Sequence, residues 1–251
     1  MDLLPVPQAA SRIIEAAAKI YIKHAADHFA GLIVHGSALK GGIIPGCSDI
    51  DFKLYLQDEI FNKDGMLPLE MVLALQRDLA GISIEPFGYI QCDSLSVLQP
   101  KLRVGPVPGA YRLLAGRLPV AEATNEQLHR QAHEALGSVA AVPKYLNTLL
   151  DHGRERLTRI IRLLCTEISP LMYHAVTVMH ADALQIWRLP KQEVIELLPN
   201  KEIKQHAVYF YEEALRYYPS QTSTDSALEM IRHGVSFLES LKSWAGKIQR
   251  R

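Results

Sequence analysis

The residues best suited to chemistry are two aspartates separated by one apolar residue, Asp49-Ile50-Asp51, at the head of a stretch from Ser48 to Leu56 that alternates polar and apolar side chains. Alternation with period two marks a half-buried β-strand. Side chains at i and i+2 leave the same face, so the carboxylates converge roughly 6–7 Å apart along the strand. Two such groups repel each other unless a cation sits between them. Oxygen-only ligation of this kind suits Mg²⁺, which usually takes one or two protein carboxylates and completes its shell with substrate phosphates. An N-cap and a turn acid would not account for two acids flanking Ile50 at a strand entry. Lys53 leaves the same face, and either neutralises the acids or contacts phosphate.

A second feature precedes this one. Leu32-Ile33-Val34 is a short β-rich run that exits through His35-Gly36-Ser37. Backbone N–H groups of such a turn and the Ser37 hydroxyl can donate to phosphate oxygens, and Gly36 lets a phosphate approach the backbone closely. A Walker A loop is excluded: Gly36 and Gly41 have its first spacing, but Gly42 stands where Lys is required and Ile43 where Ser or Thr is required.

The elements that must position these residues follow from periodicity. Gln8 to Phe29 has helical spacing (Ile13, Ile14, Ala17, Ile20, Tyr21) broken by Gly31, followed by the strand over Leu32–Val34 and a Gly- and Pro-containing loop from Lys40 to Cys47. After the Ser48–Leu56 strand, a helix is predicted from Leu67 to Leu79. A third strand is predicted over Ile82 to Ile90, bent or ended by Pro86 and Gly88. Pro100 to Pro119 reads as a connecting arm whose apolar run, Tyr111 to Leu114, is its one short strand. Thr124 followed three residues later by Gln127 matches a capping box. The chain beyond it is helical in period, with breaks expected at Pro143, Gly153, Pro170, Pro190, Pro219 and Gly234. The expected partition is an α+β domain over residues 1–122 and an all-α helical bundle over residues 123–251.

Composition narrows the class. The chain has 251 residues, 48% hydrophobic and 22% charged, enough for real cores, so intrinsic disorder is excluded. Lys plus Arg and Asp plus Glu each number 27, and neither half carries the basic excess of a protein held to nucleic acid by phosphate contacts. Apolar runs fall short of a membrane span, and Met1-Asp2-Leu3-Leu4-Pro5 lacks the basic start of a signal peptide, so a cytoplasmic protein is expected. Cys47, Cys92 and Cys165 are odd in number and widely spaced, unlike a disulfide framework or a zinc site. The i,i+4 pairs His24 with His28 and His129 with His133, and the basic run Arg154, Arg156, Arg159 and Arg162, read as solvated helix faces.

Taken together, Val34-His35-Gly36-Ser37 followed by Ser48-Asp49-Ile50-Asp51-Phe52 resembles the active-site signature of the DNA polymerase β-like nucleotidyltransferases. Gly36 through Pro45 followed by Ser48-Asp49-Ile50-Asp51 resembles the start of the aminoglycoside adenylyltransferases that modify streptomycin and spectinomycin, with a slightly longer loop at Gly46-Cys47. The resemblance implies a third carboxylate on the next strand, serving as metal ligand or as base. Glu85 is the matching position, and Asp93, after the expected end of that strand, is the runner-up. It also implies a Lys at a helix start in the C-terminal domain that reaches the ATP phosphates; Leu189-Pro190-Lys191-Gln192-Glu193-Val194 resembles that segment. The aromatic residue and acid of streptomycin-accepting members fall here near His180 and Asp182, so the Trp is absent and streptomycin is disfavoured. Trp187 reads as packing between helices.

The resemblance thus implies transfer of a nucleoside monophosphate, AMP from MgATP, to a hydroxyl of a small acceptor, with an aminoglycoside-like antibiotic as first candidate. Asp49 and Asp51 would hold the metals in a two-metal arrangement, Gly36, Ser37 and Lys191 the triphosphate, and Glu85 would activate the hydroxyl. No nucleic-acid or membrane partner is implied, and either a monomer or a dimer is compatible. The rivals are a non-catalytic nucleotide-binding regulator or antitoxin-type protein, and a protein AMPylator. Intact Asp49, Asp51 and Glu85 count against the first and leave the second open.

Overall fold

The computed structural model describes residues 3, 5–98, 104–153, 155–220 and 223–248; Arg154 and the first part of the Pro100–Pro119 arm lie outside them. The fold is α+β. The chain forms two compact units, one over Leu4–Ala123 and one over Thr124–Arg251 together with Met1–Leu3.

The first unit runs α1 (Gln8–Ala25), a 3-10 turn (Ala26–His28), β1 (Phe29–His35), α2 (Ser37–Lys40), β2 (Asp49–Leu56), α3 (Leu69–Leu79), β3 (Tyr89–Ser96) and β4 (Tyr111–Gly116). The sheet order is β3-β2-β1-β4. β1 is antiparallel to both β2 and β4, and β3 is parallel to β2. Ile50, Phe52, Leu54 and Leu56 of β2, with Leu32 and Val34 of β1, pack on Ile13, Ile14, Ala17 and Tyr21 of α1 and on Leu75 of α3. Burial of each such aliphatic or aromatic side chain is worth ~1.5–3 kcal/mol. Asp78 ties α3 to α1 by accepting from Lys23 Nζ (3.0 Å), and it meets His24 Nε2 at 2.8 Å. On the opposite, outer face, Ala30, Ile33 and Tyr55 form a small cluster with partly buried Leu95, Tyr111, Leu118 and Val120.

Two boundaries differ from expectation. Gly31 does not end the first helix but lies inside β1, where a Cβ would come 2.0 Å from the Arg117 carbonyl oxygen. The residue is there because β1 and the chain leaving β4 approach too closely for any side chain. The third strand is Tyr89–Ser96, not Ile82–Ile90. Pro86 has no N–H for a ladder, and residues 85–88 are a turn stitched to the loop before β2. Gly46 N donates to Pro86 O (2.8 Å) and Gly88 N to Ser48 O (2.8 Å). Pairing therefore begins at Tyr89, opposite Asp49.

The second unit is helical: α4 (Asn125–Gly137), a 3-10 stretch (Lys144–Leu150), α5 (Arg156–Thr177), α6 (Ala183–Arg188), α7 (Lys191–Glu196), α8 (Lys201–Ser220) and α9 (Thr224–Ile248). The capping box forms: Gln127 N donates to Thr124 Oγ1 (3.2 Å) and Thr124 N to Gln127 Oε1 (3.0 Å). Pro170, Pro219 and Gly234 do not break their helices. At Gly234 an added Cβ would lie 3.2 Å from both Ile168 Cδ1 and Phe210 Cε2, so this glycine lets α5 and α8 close on α9. Pro170 is exposed, with buried Ile168 and Leu171 on either side holding the helix. Among the described residues no helix is long and apolar enough to cross a membrane.

Candidate active site

Asp49, Asp51 and Lys53 occupy alternate positions of β2 on the outer face, while Ile50, Phe52 and Leu54 fill the core behind them. Register sets their neighbours. Asp51 lies between His35 of β1 and Gln91 of β3, and Lys53 between Ile33 and Asp93. Immediately after His35, Gly36 adopts φ 81° and opens α2. A Cβ there would lie 2.3 Å from Asp51 Oδ2, so glycine is needed both for the backbone and for the space the carboxylate occupies. Gly36 O accepts from Leu39 N (3.2 Å) and Lys40 N (3.3 Å), winding the turn so that Ser37 begins a helix whose first amides have no intrahelical acceptor. Buried Ser48 fixes the entry to β2, since its Oγ accepts from Ile44 N (2.9 Å) and its own N donates to Ile44 O (2.9 Å).

The electrostatics of this face are unusual. Burial, then the charge of Asp49, pushes the Asp51 carboxyl up to about 7, with Asp93 adding and Lys53 and Lys40 opposing. Burial, then Lys53, pushes the His35 imidazole down to about 4, so it is neutral at physiological pH. Lys53 Nζ lies 3.1 Å from Asp93 Oδ2, with side chains 18% and 49% exposed. Any cation able to reach both Asp49 and Asp51 relieves the repulsion between them. Two partly buried carboxylates without further protein ligands fit Mg²⁺, which leaves the rest of its shell to phosphate and water. Among the described residues no group of three His, Cys, Asp or Glu side chains is set to hold a metal by itself.

The structure brings Gly36, Ser37, Asp49 and Asp51 together. Glu85 is not on a strand: it is exposed on the turn before β3 and is not among the charges that act on Asp51. Asp93 is the acid that β3 carries alongside β2. His35, opposite Asp51, and Lys40, whose charge acts on Asp51, also stand at this face and were not among the expected site residues; their only sequence signal is adjacency to the Gly-Ser turn.

In the helical unit, Lys191 begins α7 after Pro190 with its Nζ 4.9 Å above the Tyr211 ring. Trp187 packs against Tyr173 (5.1 Å) and His174 (5.2 Å), and its Nε1 donates to Thr177 Oγ1 at 3.1 Å. Asp182 caps α6 by accepting from Gln185 N (3.0 Å), and His180 is exposed. A cavity of about 320 Å³ opens at the other end of β3, lined by Ser94, Leu95 and Ser96 with Asp58, Phe61 and Asp64 among its walls, and none of the acids of β2 reaches it.

Comparison with known protein families finds none that matches the sequence, and comparison with curated proteins likewise finds none. Among solved structures, the chain is similar to a spectinomycin adenyltransferase from Enterococcus faecialis crystallised with ATP and spectinomycin. The two share 13% sequence identity with a TM-score of 0.54, over 93% of this chain and 99% of the other. At that identity the likeness is one of fold.

Proposed function

We propose that this protein is a nucleotidyltransferase that moves AMP from ATP onto a hydroxyl of a small cationic acceptor. The observation that carries the reading is the convergence of Asp49 and Asp51 on one face of β2, with the Asp51 carboxylate filling the space beside the Gly36 turn where a Cβ would lie 2.3 Å from its Oδ2. Asp49 and Asp51 would hold Mg²⁺, which neutralises triphosphate charge when bound. Gly36 and Ser37 bind phosphate oxygens through backbone N–H groups and the Ser37 hydroxyl, and Lys191 is the residue of the helical unit that the sequence resemblance assigns to the same phosphates.

Asp93, which β3 carries beside β2 while Glu85 lies on the turn before it, takes the proton of the acceptor hydroxyl as the hydroxyl oxygen forms a bond to the α-phosphorus. The bond from that phosphorus to the bridging oxygen breaks, and pyrophosphate leaves with its electron pair. An acidic face favours a cationic acceptor, and the structural neighbour was crystallised with spectinomycin. An aminocyclitol antibiotic is therefore the first acceptor to try, with resistance to it as the biological consequence. A reaction fed by ATP suits the cytoplasm.

The test is pyrophosphate release from each nucleoside triphosphate against a panel of aminocyclitol, aminoglycoside and protein acceptors. Release with ATP and one small acceptor is the expected result. Transfer only to protein would change the acceptor class, and no release with any pair would overturn the reading.

A further inference from the structure

We infer that the outward face of α3 is a self-association surface, on which the same helix of a second copy of this chain packs antiparallel across a two-fold axis. α3 spans 11 residues, Leu69–Leu79, and is apolar on two sides. Leu75 is buried, and Met71 and Leu79 pack beside it in the core shared with α1. On the other side Leu69, Val72 and Leu73 are 67%, 43% and 48% exposed, and Met66, just ahead of the helix, is 63% exposed. Steps of three and four residues set Leu69, Val72, Leu73 and Gln76 on one stripe. Apolar side chains scattered singly over a surface need no explanation, whereas a contiguous stripe marks a face that another surface covers.

Charge on the rim of the stripe selects the occupant. Glu70 and Arg77 are both exposed and stand about two turns apart on one flank of the stripe. Among the described residues neither takes part in an ion pair. Asp78, by contrast, turns to α1, where Lys23 and His24 hold it. A two-fold axis near the middle of the helix reverses the direction of the second copy, so Glu70 of each copy faces Arg77 of the other. Val72 and Leu73 then meet their counterparts at the centre, and Leu69 meets Gln76. A parallel pair would set Glu70 against Glu70 and Arg77 against Arg77. One acid and one base that complement themselves on reversal are what an isologous interface requires.

Size sets the strength. Stable interfaces bury about 800 Å² per partner, and one face of a helix about 16 Å long and about 10 Å across offers less. The dimer should therefore form in the upper micromolar range and exchange with monomer.

Sedimentation equilibrium of the full chain, from low micromolar to near-millimolar concentration, tests this, with circular dichroism to verify that each variant is folded. The wild type should pass from monomer to dimer across that range, and Leu73→Glu should stay monomeric. Glu70→Lys and Arg77→Glu should each weaken association roughly tenfold, because both rim pairs turn from unlike to like charge. An equimolar mixture of these two variants should recover the wild-type affinity, since unlike charges again meet at both ends.

A wild type that stays monomeric at the highest concentration would overturn the inference and leave the face to a different protein. Unchanged association in folded Leu73→Glu, or a mixture no stronger than either charge variant alone, would also overturn it. If Leu73→Glu does not fold, the charge variants and their mixture still decide. The inference does not depend on the nucleotidyltransferase reading, and none of these results bears on that reaction.

Discussion

The two ends of the outer face of β2 are built on opposite terms. Near its C-terminal end, Tyr55 is fully buried beside Ala30 and Ile33, a closed apolar cluster. Four residues earlier the same face carries Asp51, half-buried beside Asp49, its carboxylate in the space that Gly36 leaves open by lacking a Cβ. One end is arranged for packing, and the other keeps like charges together at a cost in stability. The contrast teaches where the folding energy comes from: the apolar end and the α1 side of the sheet hold the strand in register, so the acid end can keep an arrangement that folding alone would disfavour.

The sharpest way to break this comparison is at the acids. Asp49→Asn or Asp51→Asn should lower turnover by on the order of 10²-fold or more, while the melting temperature holds or rises. A variant that loses stability and keeps activity would invert the account. At the other end, Tyr55→Ala should cost ~3–5 kcal/mol in denaturant unfolding, as expected for a buried aromatic, with MgATP affinity of the folded protein unchanged. A matching fall in MgATP affinity would mean the two ends are not separable.

Lys191 tests whether the helical unit takes part. Lys191→Ala should weaken ATP binding roughly 10- to 150-fold, the worth of a charge-assisted hydrogen bond of about 1.5–3 kcal/mol, and should lose much of the ATP-induced rise in melting temperature. Lys191 lies over the Tyr211 ring, so the unliganded variant must be melted first to separate packing from phosphate contact. An unchanged dissociation constant would leave the triphosphate to Gly36 and Ser37.

The smallest effect is a pH profile. The Asp51 carboxyl stands at about 7 when folded against an ordinary 3.8, so the folded chain holds this proton more tightly than the unfolded chain. Below about pH 4 both states are protonated and the group is neutral in its effect. As pH rises through 4 to 7 the unfolded chain ionises first and stability falls, with the full cost present above 7. In EDTA, Asp51→Asn should melt with the wild type near pH 3 and a few degrees higher above pH 7. Coincident curves at all pH values would mean that Asp51 is not buried against Asp49.

Much of the candidate site's strand geometry was legible in the sequence because its signals are local. Asp49 and Asp51 declare themselves by alternation with Ile50 and Phe52, and Thr124 and Gln127 by capping-box spacing. Asp93 was less legible: Ile82 and Ile84 alternate with Ser83 and Glu85 and imitate a strand, whereas β3 is an edge strand with Gln91, Asp93, Ser94 and Ser96 diluting its apolar pattern. His35 precedes the Gly-Ser turn in sequence, but that it stands opposite Asp51 follows from strand register, which no single segment encodes. Gly31 and Gly234 read locally as breaks, yet each is where another piece of chain comes too close for a side chain.

The central claim is that the acid pair and the triphosphate meet only through a divalent cation. Calorimetry of ATP binding to the wild-type protein, in Mg²⁺ and again in EDTA, tests it most directly. The account predicts measurable binding with Mg²⁺ and loss of most affinity in EDTA, because a triphosphate would then face Asp49 and Asp51 as like charges. Equal affinity in the two conditions would contradict it.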